Sequence, residues 1–339
     1  MSRPWSGVLS VGHVRVVVVA ESFLPHMNGV THSILQVLRH LRERGDEAMV
    51  IAPAASWSAG WTQRAGAGEA PREVEGFPVR TLPSVPLTGY ASVRVAAGTV
   101  GRLRGMLADF APDVVHIASP FVLGWRAVQA AEELGIPSVA VYQTEVPGYA
   151  ARYGAPWLED VLWSHVARLH NMATLTLAPS SFTVRQLHRQ GVRRVHLWGR
   201  GVDSRRFHPA KRDEALRAEL APNGEKLVGF VGRLAHEKQV GDLRVLSDLP
   251  GTRLVVIGSG PLREQLEREL PGAHFAGFQG GEDLARHVAS LDLFVHPGES
   301  DTFGQTLQEA MASGVPVVAV GRGGPLDIVD ASRTGWLYP

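Results

Sequence analysis

The sequence predicts an α/β protein made of two doubly wound units in tandem. Its length of 339 residues is sufficient for two domains. Short runs rich in Val and Ile recur with amphipathic stretches between them, which is typical of βαβ units and parallel sheets. A polar, proline-bearing stretch at 201–226 interrupts this alternation and suits a linker. We therefore predict an N-terminal domain at 1–203 and a C-terminal domain at 204–339.

The individual elements follow from the periodicity of apolar residues. Eleven apolar runs predict strands at 14–20, 47–52, 113–118, 137–142, 174–178, 194–198, 226–232, 252–258, 274–278, 292–297 and 316–320. Amphipathic stretches predict helices at about 30–44, 94–110, 122–134, 157–171, 181–190, 238–248, 261–270, 281–290 and 303–313. A stretch rich in glycine and tryptophan at 55–72 predicts a surface loop.

Composition excludes several kinds of site and location. The chain has no cysteine, so disulfides, thiolate metal sites and a cysteine nucleophile are excluded. No apolar run approaches the ~18 residues of a membrane span, and the N-terminus lacks the apolar core of a secretory signal. We expect a cytoplasmic protein with no nucleic-acid partner.

The net charge of +1 hides an asymmetry between the two halves. Residues 1–205 hold 20 Lys/Arg and 15 Asp/Glu, whereas 206–339 hold 14 and 18. A cationic first half is compatible with an anionic acceptor or a membrane surface, although an excess of this size is also ordinary.

Ligands of doubly wound sheets bind beyond the carboxyl ends of the strands, so the loops there are the candidate sites. After the first strand, Asn28 and Gly29 open a helix where backbone can approach a ligand, or they simply start the helix. The pattern is not GxGxxG, so a dinucleotide fingerprint is absent. After 226–232, "GRLAHEK" supplies Gly232, Arg233 and Lys238. Two cations beside a glycine favour a diphosphate site over solvated loop charges.

The segment "GESDTFGQTLQEAMASG" (298–314) brings two carboxylates to another strand end. Thr302 and Gln305 read as a capping box that starts a helix near Phe303. Glu309 then falls off the buried stripe, at the edge of the face that carries Thr302 and Gln305, where a carboxylate suits a ribose diol. Asp301 lies at the helix mouth, where it is placed to bind sugar hydroxyls. The plainer alternatives are helix capping for Asp301 and an exposed helical side chain for Glu309.

Together these motifs resemble the retaining family-four glycosyltransferases of the GT-B type, which have two Rossmann-like domains with the active site in the cleft between them. The resemblance runs along nearly the whole chain and includes "PHMNGVTHSI", "YQTEVPGYAARYG", "GRGVDSRRFHP", "GRLAHEK" and "DTFGQTLQEAMASGVPVVA". It is strongest to the GDP-mannose-dependent α-mannosyltransferases of glycolipid synthesis.

The resemblance implies a role for each matched position. Gly232, Arg233 and Lys238 would hold the donor diphosphate, with Gly29 giving backbone to it from the other domain. Arg200 would lie near the donor at the domain junction, and Glu309 would bind ribose. The transferred sugar would be held by Asp301 and the backbone of Thr302, Phe303 and Gly304.

Three departures from the family pattern stand out. The first acidic residue is Asp301 where the family usually has Glu, so it reaches less far. Gln143 stands in a loop that often carries His, so a general base there is excluded, although Gln can still bind a hydroxyl. The chain stops at Pro339, where relatives continue, which predicts an incomplete C-terminal domain.

The absence of an obvious nucleophile favours a front-face mechanism in which the leaving diphosphate takes the acceptor's proton. The chain has no D-x-D triplet, so we expect no metal cofactor and a diphosphate neutralised by Arg233 and Lys238. His116 and His296 end apolar strands and are equally compatible with core residues and site contacts.

The expected partners are a nucleotide-sugar donor and a lipid or glycan acceptor bound by the first half. The Arg-bearing helix predicted at 94–110 either contacts the inner membrane surface or is an ordinary surface helix. Three alternatives stay open: a hydrolase or epimerase of the same fold, a UDP-sugar-dependent glucosyl or sulfoquinovosyl transferase, and a binding protein that does not transfer. The sequence of the base pocket expected at 278–283 does not distinguish a purine base from a pyrimidine base.

Overall fold

The computed structural model describes residues 12–339 apart from 55–70, 88–89, 120, 145–146, 148–155, 248 and 300. The loop predicted at 55–72 and most of the motif that follows Thr144 therefore lie outside the described residues. The chain divides into two compact units, which we describe separately. The first unit contains 1–144, 163–178 and 187–196, and the second contains 145–162, 179–186 and 197–339. The single boundary predicted at 203/204 stays a prediction.

The first unit is built on an eight-stranded, mostly parallel sheet in the order β10-β9-β8-β7-β1-β2-β4-β3. Its strands are β1 (Arg15–Val19), β2 (Glu47–Pro53), β3 (Glu73–Val74), β4 (Phe77–Leu82), β7 (Val114–Ile117), β8 (Ser138–Val141), β9 (Leu175–Ala178) and β10 (Val195–Leu197). Its helices are α1 (Gly29–Arg44), α2 (Val100–Phe110), α3 (Val122–Glu133) and α4 (Glu159–Met172), the last of which begins in a segment assigned to the second unit.

The second unit carries a six-stranded parallel sheet in the order β13-β12-β11-β14-β15-β16. Its strands are β11 (Lys226–Val231), β12 (Thr252–Ile257), β13 (His274–Gly277), β14 (Leu293–His296), β15 (Val317–Val320) and β16 (Gly335–Tyr338). Its helices are α5 (Ser181–Arg189), α6 (Glu214–Leu220), α7 (Arg263–Glu269), α8 (Gly281–Ala289), α9 (Gln305–Ala312) and α10 (Pro325–Ile328).

Both sheets are buried on both faces. Successive side chains of a strand point to opposite sides, so one strand contributes to two apolar clusters. In β1, Val17 and Val19 belong to one apolar cluster, whereas Val16 and Val18 belong to the cluster on the other face. In β12, Val255 and Ile257 are likewise separated from Leu254 and Val256. This explains why the central strands read as continuous apolar runs and not as alternating ones. The predicted α/β class with two parallel sheets is confirmed.

One predicted helix starts too early, and another is wrong. Residues 94–96 end a strand, β6 (Tyr90–Ala96), which pairs antiparallel with β5 (Ser84–Leu87) in a separate hairpin, and the helix begins only at Val100. Thr99 caps this helix by accepting a hydrogen bond from the Arg102 amide. In place of the helix predicted at 238–248, the chain forms 3-10 turns at His236–Lys238 and Val240–Leu246. Strands β3, β4 and β16 were not predicted.

The capping box is also wrong. The helix begins at Gln305, after Gly304, which adopts a φ of 97° that favours glycine and makes no side-chain cap. Gln305 does not return to the Thr302 amide. Its Nε2 instead donates to the Gly201 carbonyl at 3.3 Å. Gly304 is therefore the residue that turns the chain from the loop into α9.

None of the helices described here is long and apolar enough to cross a membrane.

Candidate active site

The loop that follows β11 carries two of the predicted site cations and is fixed by backbone hydrogen bonds. The Gly232 amide donates to the Ile257 carbonyl and the Leu234 amide to the Ser259 carbonyl, each at 3.0 Å. Gly258 has a φ of 144°, and a Cβ there would lie 1.9 Å from the Gly232 carbonyl oxygen. The loops after β11 and β12 therefore touch backbone to backbone at the carboxyl end of the sheet, which leaves Arg233 and Lys238 on a rigid support.

Lys238 forms an ion pair with Asp301, and Asp301 also meets His296. The Lys238 Nζ contacts Asp301 Oδ1, and His296 Nε2 lies 2.5 Å from Asp301 Oδ2. The side chains are 23% exposed for Lys238, 18% for Asp301 and 2% for His296. Within the described part of the chain, His296 Nδ1 is buried without a hydrogen-bond partner. His296 ends β14 and is a buried residue that contacts Asp301, and its role toward a ligand stays a prediction.

Asp301 is held as a carboxylate by its neighbours. Burial alone raises the pKa of Asp301, but the Lys238 ammonium and then His296 outweigh this effect and hold the pKa well below its ordinary value. Asp301 does not cap α9, because its side chain is engaged by Lys238 and His296. Its backbone carbonyl accepts from the Gly324 amide at 3.0 Å, which ties the loop to the glycine-rich segment after β15.

Arg233 is the more exposed cation of the same loop. Its side chain is 45% exposed, and its Nη1 lies 3.8 Å from the carboxylate of Glu237, which is itself buried. A guanidinium is more weakly hydrated than an ammonium, so an exposed Arg can present its planar fork to a ligand phosphate at a modest desolvation cost. Lys238 differs from it because its side chain is less exposed and its ion pair is closer.

A second cluster surrounds Glu309 on α9. Glu309 is 6% exposed, so the alternative of an exposed helical side chain is wrong. Burial raises the pKa of Glu309 to about 8, although Arg206 and Arg200 oppose the shift. Its carboxyl group is therefore largely neutral at pH 7, and it can both donate and accept hydrogen bonds.

Arg200 lies between two aromatic rings. Its guanidinium carbon is 5.6 Å from the Trp198 ring centroid and 5.5 Å from that of Phe303. Burial lowers the pKa of Arg200 to about 10, partly offset by Glu309, so it remains a cation at pH 7. The Arg200 carbonyl accepts from Gln308 Nε2 at 3.2 Å, which fastens this segment to α9. The structure thus brings Arg200, Phe303 and Glu309 together.

Gly29 and Gln143 belong to the first unit. Gly29 is the first residue of α1, and the Asn28 side chain accepts from the Thr31 amide at 2.9 Å. Gln143 Nε2 donates to the Ala118 carbonyl at 3.2 Å, just past the end of β8. Gln143 follows the end of β8 and Gly29 opens the helix that follows β1, and their roles toward a ligand stay predictions.

Sequence reasoning missed two ionisable groups, the half-buried Arg206 and the buried Glu21. Arg206 lies in the polar linker and lowers the pKa of Glu309. The residues around it in the sequence do not mark it as a site residue. Glu21 directly follows the apolar run of β1, and its position at the end of a buried strand could have identified it as a candidate site residue. Among the described residues, no group of three His, Asp or Glu side chains is placed to hold a metal ion.

Two family models match the chain. The model described as Glycosyltransferase Family 4 matches residues 27–206, and the one described as Glycosyl transferases group 1 matches 211–339. The first covers more than half of the chain, and the two meet near the predicted linker.

Several curated proteins are similar over nearly the whole chain. A GDP-mannose-dependent alpha-mannosyltransferase of Mycobacterium tuberculosis is 47% identical over 96% of this chain and 84% of that protein. The protein of the same name from Mycolicibacterium smegmatis is 48% identical over 96% and 84%. A sulfoquinovosyl transferase of Arabidopsis thaliana is 36% identical over 94% of this chain and 62% of that protein.

Solved structures support the fold. HepE of Anabaena in complex with UDP-glucose has a TM-score of 0.73 at 18% identity, over 96% of this chain and 85% of that one. Sucrose-phosphate synthase from Thermosynechococcus elongatus has a TM-score of 0.74 at 18% identity, over 96% and 86%. These likenesses confirm the predicted GT-B fold.

The buried Glu309 predicts a pH dependence of stability. Because its folded pKa is about 8 and its ordinary value is 4.5, the folded state holds an extra proton between these values. The free energy of unfolding should therefore fall as pH rises from about 5 to 8, and Glu309→Gln should remove this contribution. Over this range the free energy of unfolding of the variant should rise relative to that of the wild type by roughly 1.4 kcal/mol per pH unit, measured by urea unfolding.

Glu282→Gln is the matched control, since the Glu282 side chain is exposed on α8. It should follow the wild-type curve at every pH. Parallel curves for Glu309→Gln and the wild type would refute the buried neutral carboxyl.

Proposed function

This chain belongs to the family-four glycosyltransferases, and we propose that it transfers mannose from GDP-mannose to a lipid-linked or glycan acceptor with retention of configuration. Three relatives that are 45–48% identical over 96% of this chain carry GDP-mannose-dependent alpha-mannosyltransferase names. The observation that carries the proposal is the joined set of Lys238, Asp301 and His296 at the carboxyl end of the second sheet. A hexosyl donor carries a diphosphate and sugar hydroxyls, and these are the two kinds of group that this set can bind.

In this proposal the diphosphate binds the loop after β11. Arg233 gives a bidentate contact from the exposed side of the loop, Lys238 gives a point charge, and Gly232 allows backbone to approach. The ion pair with Asp301 pre-orients the Lys238 ammonium, so little side-chain entropy is lost when phosphate arrives. The site neutralises the diphosphate with side chains and without a metal cofactor.

Asp301 has a different task. Its carboxylate is kept ionised by Lys238 and His296, and a carboxylate accepts hydrogen bonds from two sugar hydroxyls. The backbone of Thr302, Phe303 and Gly304 continues the sugar-binding edge. Asp301 is one methylene shorter than the Glu that the family usually has. Its contacts with Lys238 and His296 fix the positions of its carboxylate oxygens.

Glu309 and Arg200 complete the nucleotide side. The Glu309 carboxyl binds the ribose diol, and the Arg200 cation, confined between Trp198 and Phe303, adds positive charge next to it. The roles of Gly29 toward the diphosphate and of Gln143 toward the acceptor rest on the family resemblance.

The transfer itself proceeds on one face of the sugar. The bond between the mannose anomeric carbon and the diphosphate oxygen breaks as the acceptor oxygen bonds to the same face of that carbon. The acceptor's proton passes to the departing diphosphate, whose charge Arg233 and Lys238 stabilise. No enzymic base is needed in this step, which agrees with Gln at position 143.

A UDP-sugar donor is the second candidate, because a sulfoquinovosyl transferase is also among the similar proteins. In this region Phe278 is exposed at the end of β13, where a purine or a pyrimidine ring can stack on it.

We further propose that the protein works in the cytoplasm against the inner membrane surface. Support comes from α2, whose Arg102 and Arg104 side chains are exposed. Sedimentation with anionic and with neutral vesicles tests this contact, since equal binding to both would contradict an electrostatic one.

The function is tested by offering labelled nucleotide-sugars to the protein with a total lipid extract and excess EDTA. We expect label from GDP-mannose in lipid, and more than from UDP-glucose. Free mannose without labelled lipid would indicate a hydrolase, nucleotide binding without turnover a sensor, and loss of activity in EDTA a metal requirement.

Lys238→Ala should lower kcat/KM for GDP-mannose by at least about 100-fold, because a charge-assisted contact to the leaving diphosphate is lost. Lys211→Ala is the matched control, since Lys211 is paired with Glu282 away from the site and should behave as wild type. Lys238→Arg should recover part of the activity. A fully active Lys238→Ala enzyme would remove the diphosphate assignment.

Glu309→Leu should weaken GDP binding about tenfold, because two ribose hydroxyls lose their partner. The comparison ligand is 2′,3′-dideoxy-GDP, which lacks these hydroxyls and should bind wild type and variant alike. Calorimetric titration of both ligands gives the coupling energy. An equal loss for both ligands would mean that Glu309 acts on the fold and not on ribose.

A further inference from the structure

The residue that follows Lys238 has a strained backbone. Gln239 joins the two 3-10 turns after β11 and has a φ of 50° and a ψ of 34°, in the left-handed region that glycine adopts without cost. Its amide donates to the His236 carbonyl at 3.2 Å, and its carbonyl accepts from the Asp242 amide at 3.0 Å. A residue with a side chain keeps this conformation only where its surroundings fix it, and such residues cluster at functional sites.

The Gln239 side chain makes the contact that accompanies this strain. Its Oε1 accepts a hydrogen bond from the Glu299 amide at 2.8 Å. Gly298 packs against the same turn, since a Cβ on it would lie 3.4 Å from the Lys238 Cα. The Glu299 carboxylate pairs with Arg322 Nη1 at 2.9 Å. The loop that begins at Gly298 is therefore held between the turn after β11 and the segment after β15.

This contact lies beside the ion pair of the site. Asp301 follows Glu299 by two residues, and its partner Lys238 directly precedes Gln239. Two adjacent residues of the turn thus hold two residues of the loop, one by a side-chain ion pair and one by a hydrogen bond to backbone. Because the Lys238 stem is flexible, the ion pair alone leaves the backbone of the loop free to shift. The Gln239 hydrogen bond fixes that backbone directly.

We propose that Gln239 is a positioning residue, which places the Asp301 carboxylate for the transferred sugar by holding the backbone of Glu299. This role rests on the proposed function, in which Asp301 binds sugar hydroxyls. The left-handed backbone is destabilising compared with glycine, and the Glu299 contact is what the glutamine side chain adds. A loop held in this way has Asp301 in place before the sugar arrives, so sugar binding does not have to order it.

Hydrogen exchange tests the contact without any ligand. We expect the Glu299 amide to exchange about five- to tenfold more slowly in the wild type than in Gln239→Met, which keeps the side-chain length and removes the acceptor. Gln239→Glu keeps an acceptor oxygen and should retain the protection. Gln265→Met, at an exposed position of α7, is the matched control and should behave as wild type. Equal exchange in wild type and Gln239→Met would overturn the proposal.

Calorimetric titration with GDP-mannose and GDP tests the role toward the sugar. Both ligands contain the nucleoside diphosphate, so the ratio of their affinities reports the contact with mannose. We expect Gln239→Met to shift this ratio against GDP-mannose by about fivefold, and Asp301→Asn to shift it in the same direction. In the Asp301→Asn background, Gln239→Met should change the ratio by less than about twofold, because its effect passes through Asp301. Equal weakening of both ligands by Gln239→Met would overturn the proposal.

A glycine variant separates positioning from a purely structural role. Gln239→Gly removes the strain together with the acceptor, so it should not lower the Tm. It should still shift the affinity ratio as Gln239→Met does, and it decides the question if Gln239→Met fails to unfold cooperatively. A Gln239→Gly protein with the wild-type ratio would show that the side chain acts on the fold alone.

The same variants distinguish a failure of this proposal from a failure of the proposed function. An affinity ratio that Asp301→Asn leaves unchanged would refute the sugar role of Asp301 and count against the transferase, while exchange of the Glu299 amide would still decide the Gln239 contact. A ratio that Asp301→Asn shifts and Gln239→Met does not would leave the proposed function intact and refute the positioning role.

Discussion

The ion pair between Lys238 and Asp301 sets the conditions for the rest of the second unit's site. A mostly buried carboxylate is costly unless it is paired and hydrogen-bonded, and Asp301 obtains both from Lys238 and His296. Removing Lys238 would leave the Asp301 carboxylate without its ion-pair partner. The loop after β11, the end of β14 and the loop before α9 meet at this point, because each contributes one of the three side chains.

Electrostatic matching differs between the two clusters of this site. Around Asp301 the protein keeps full charges and pairs them, whereas around Glu309 burial makes the carboxyl neutral beside cations that remain charged. A diphosphate needs positive charge, and a ribose diol needs only hydrogen-bonding groups. The two environments therefore suit the two ends of one nucleotide-sugar.

Much of the fold was predictable because both sheets are buried on both faces, which makes their strands continuous apolar runs. The loop cations and the acidic pair were predictable because strand ends define where ligands bind. The hairpin at 84–96 was not, because a run such as "YASVRVA" joined to "AGTVGRLRGML" also fits a helical spacing of Arg and Leu. The β-branched residues in its first half favour a strand and deserved more weight. The start of α9 was misplaced because the local capping pattern competed with Gly304, whose φ no sequence pattern reports.

The contacts of Arg200 have a structural consequence. Its guanidinium carbon is 5.6 Å from the Trp198 ring centroid and 5.5 Å from that of Phe303, and Phe303 is only two residues from Asp301 in the same short loop. One side chain of this loop thus contacts a cation that lowers the pKa of Glu309, while another pairs with Lys238. The segment 301–304 is therefore the stretch of backbone that the two clusters share.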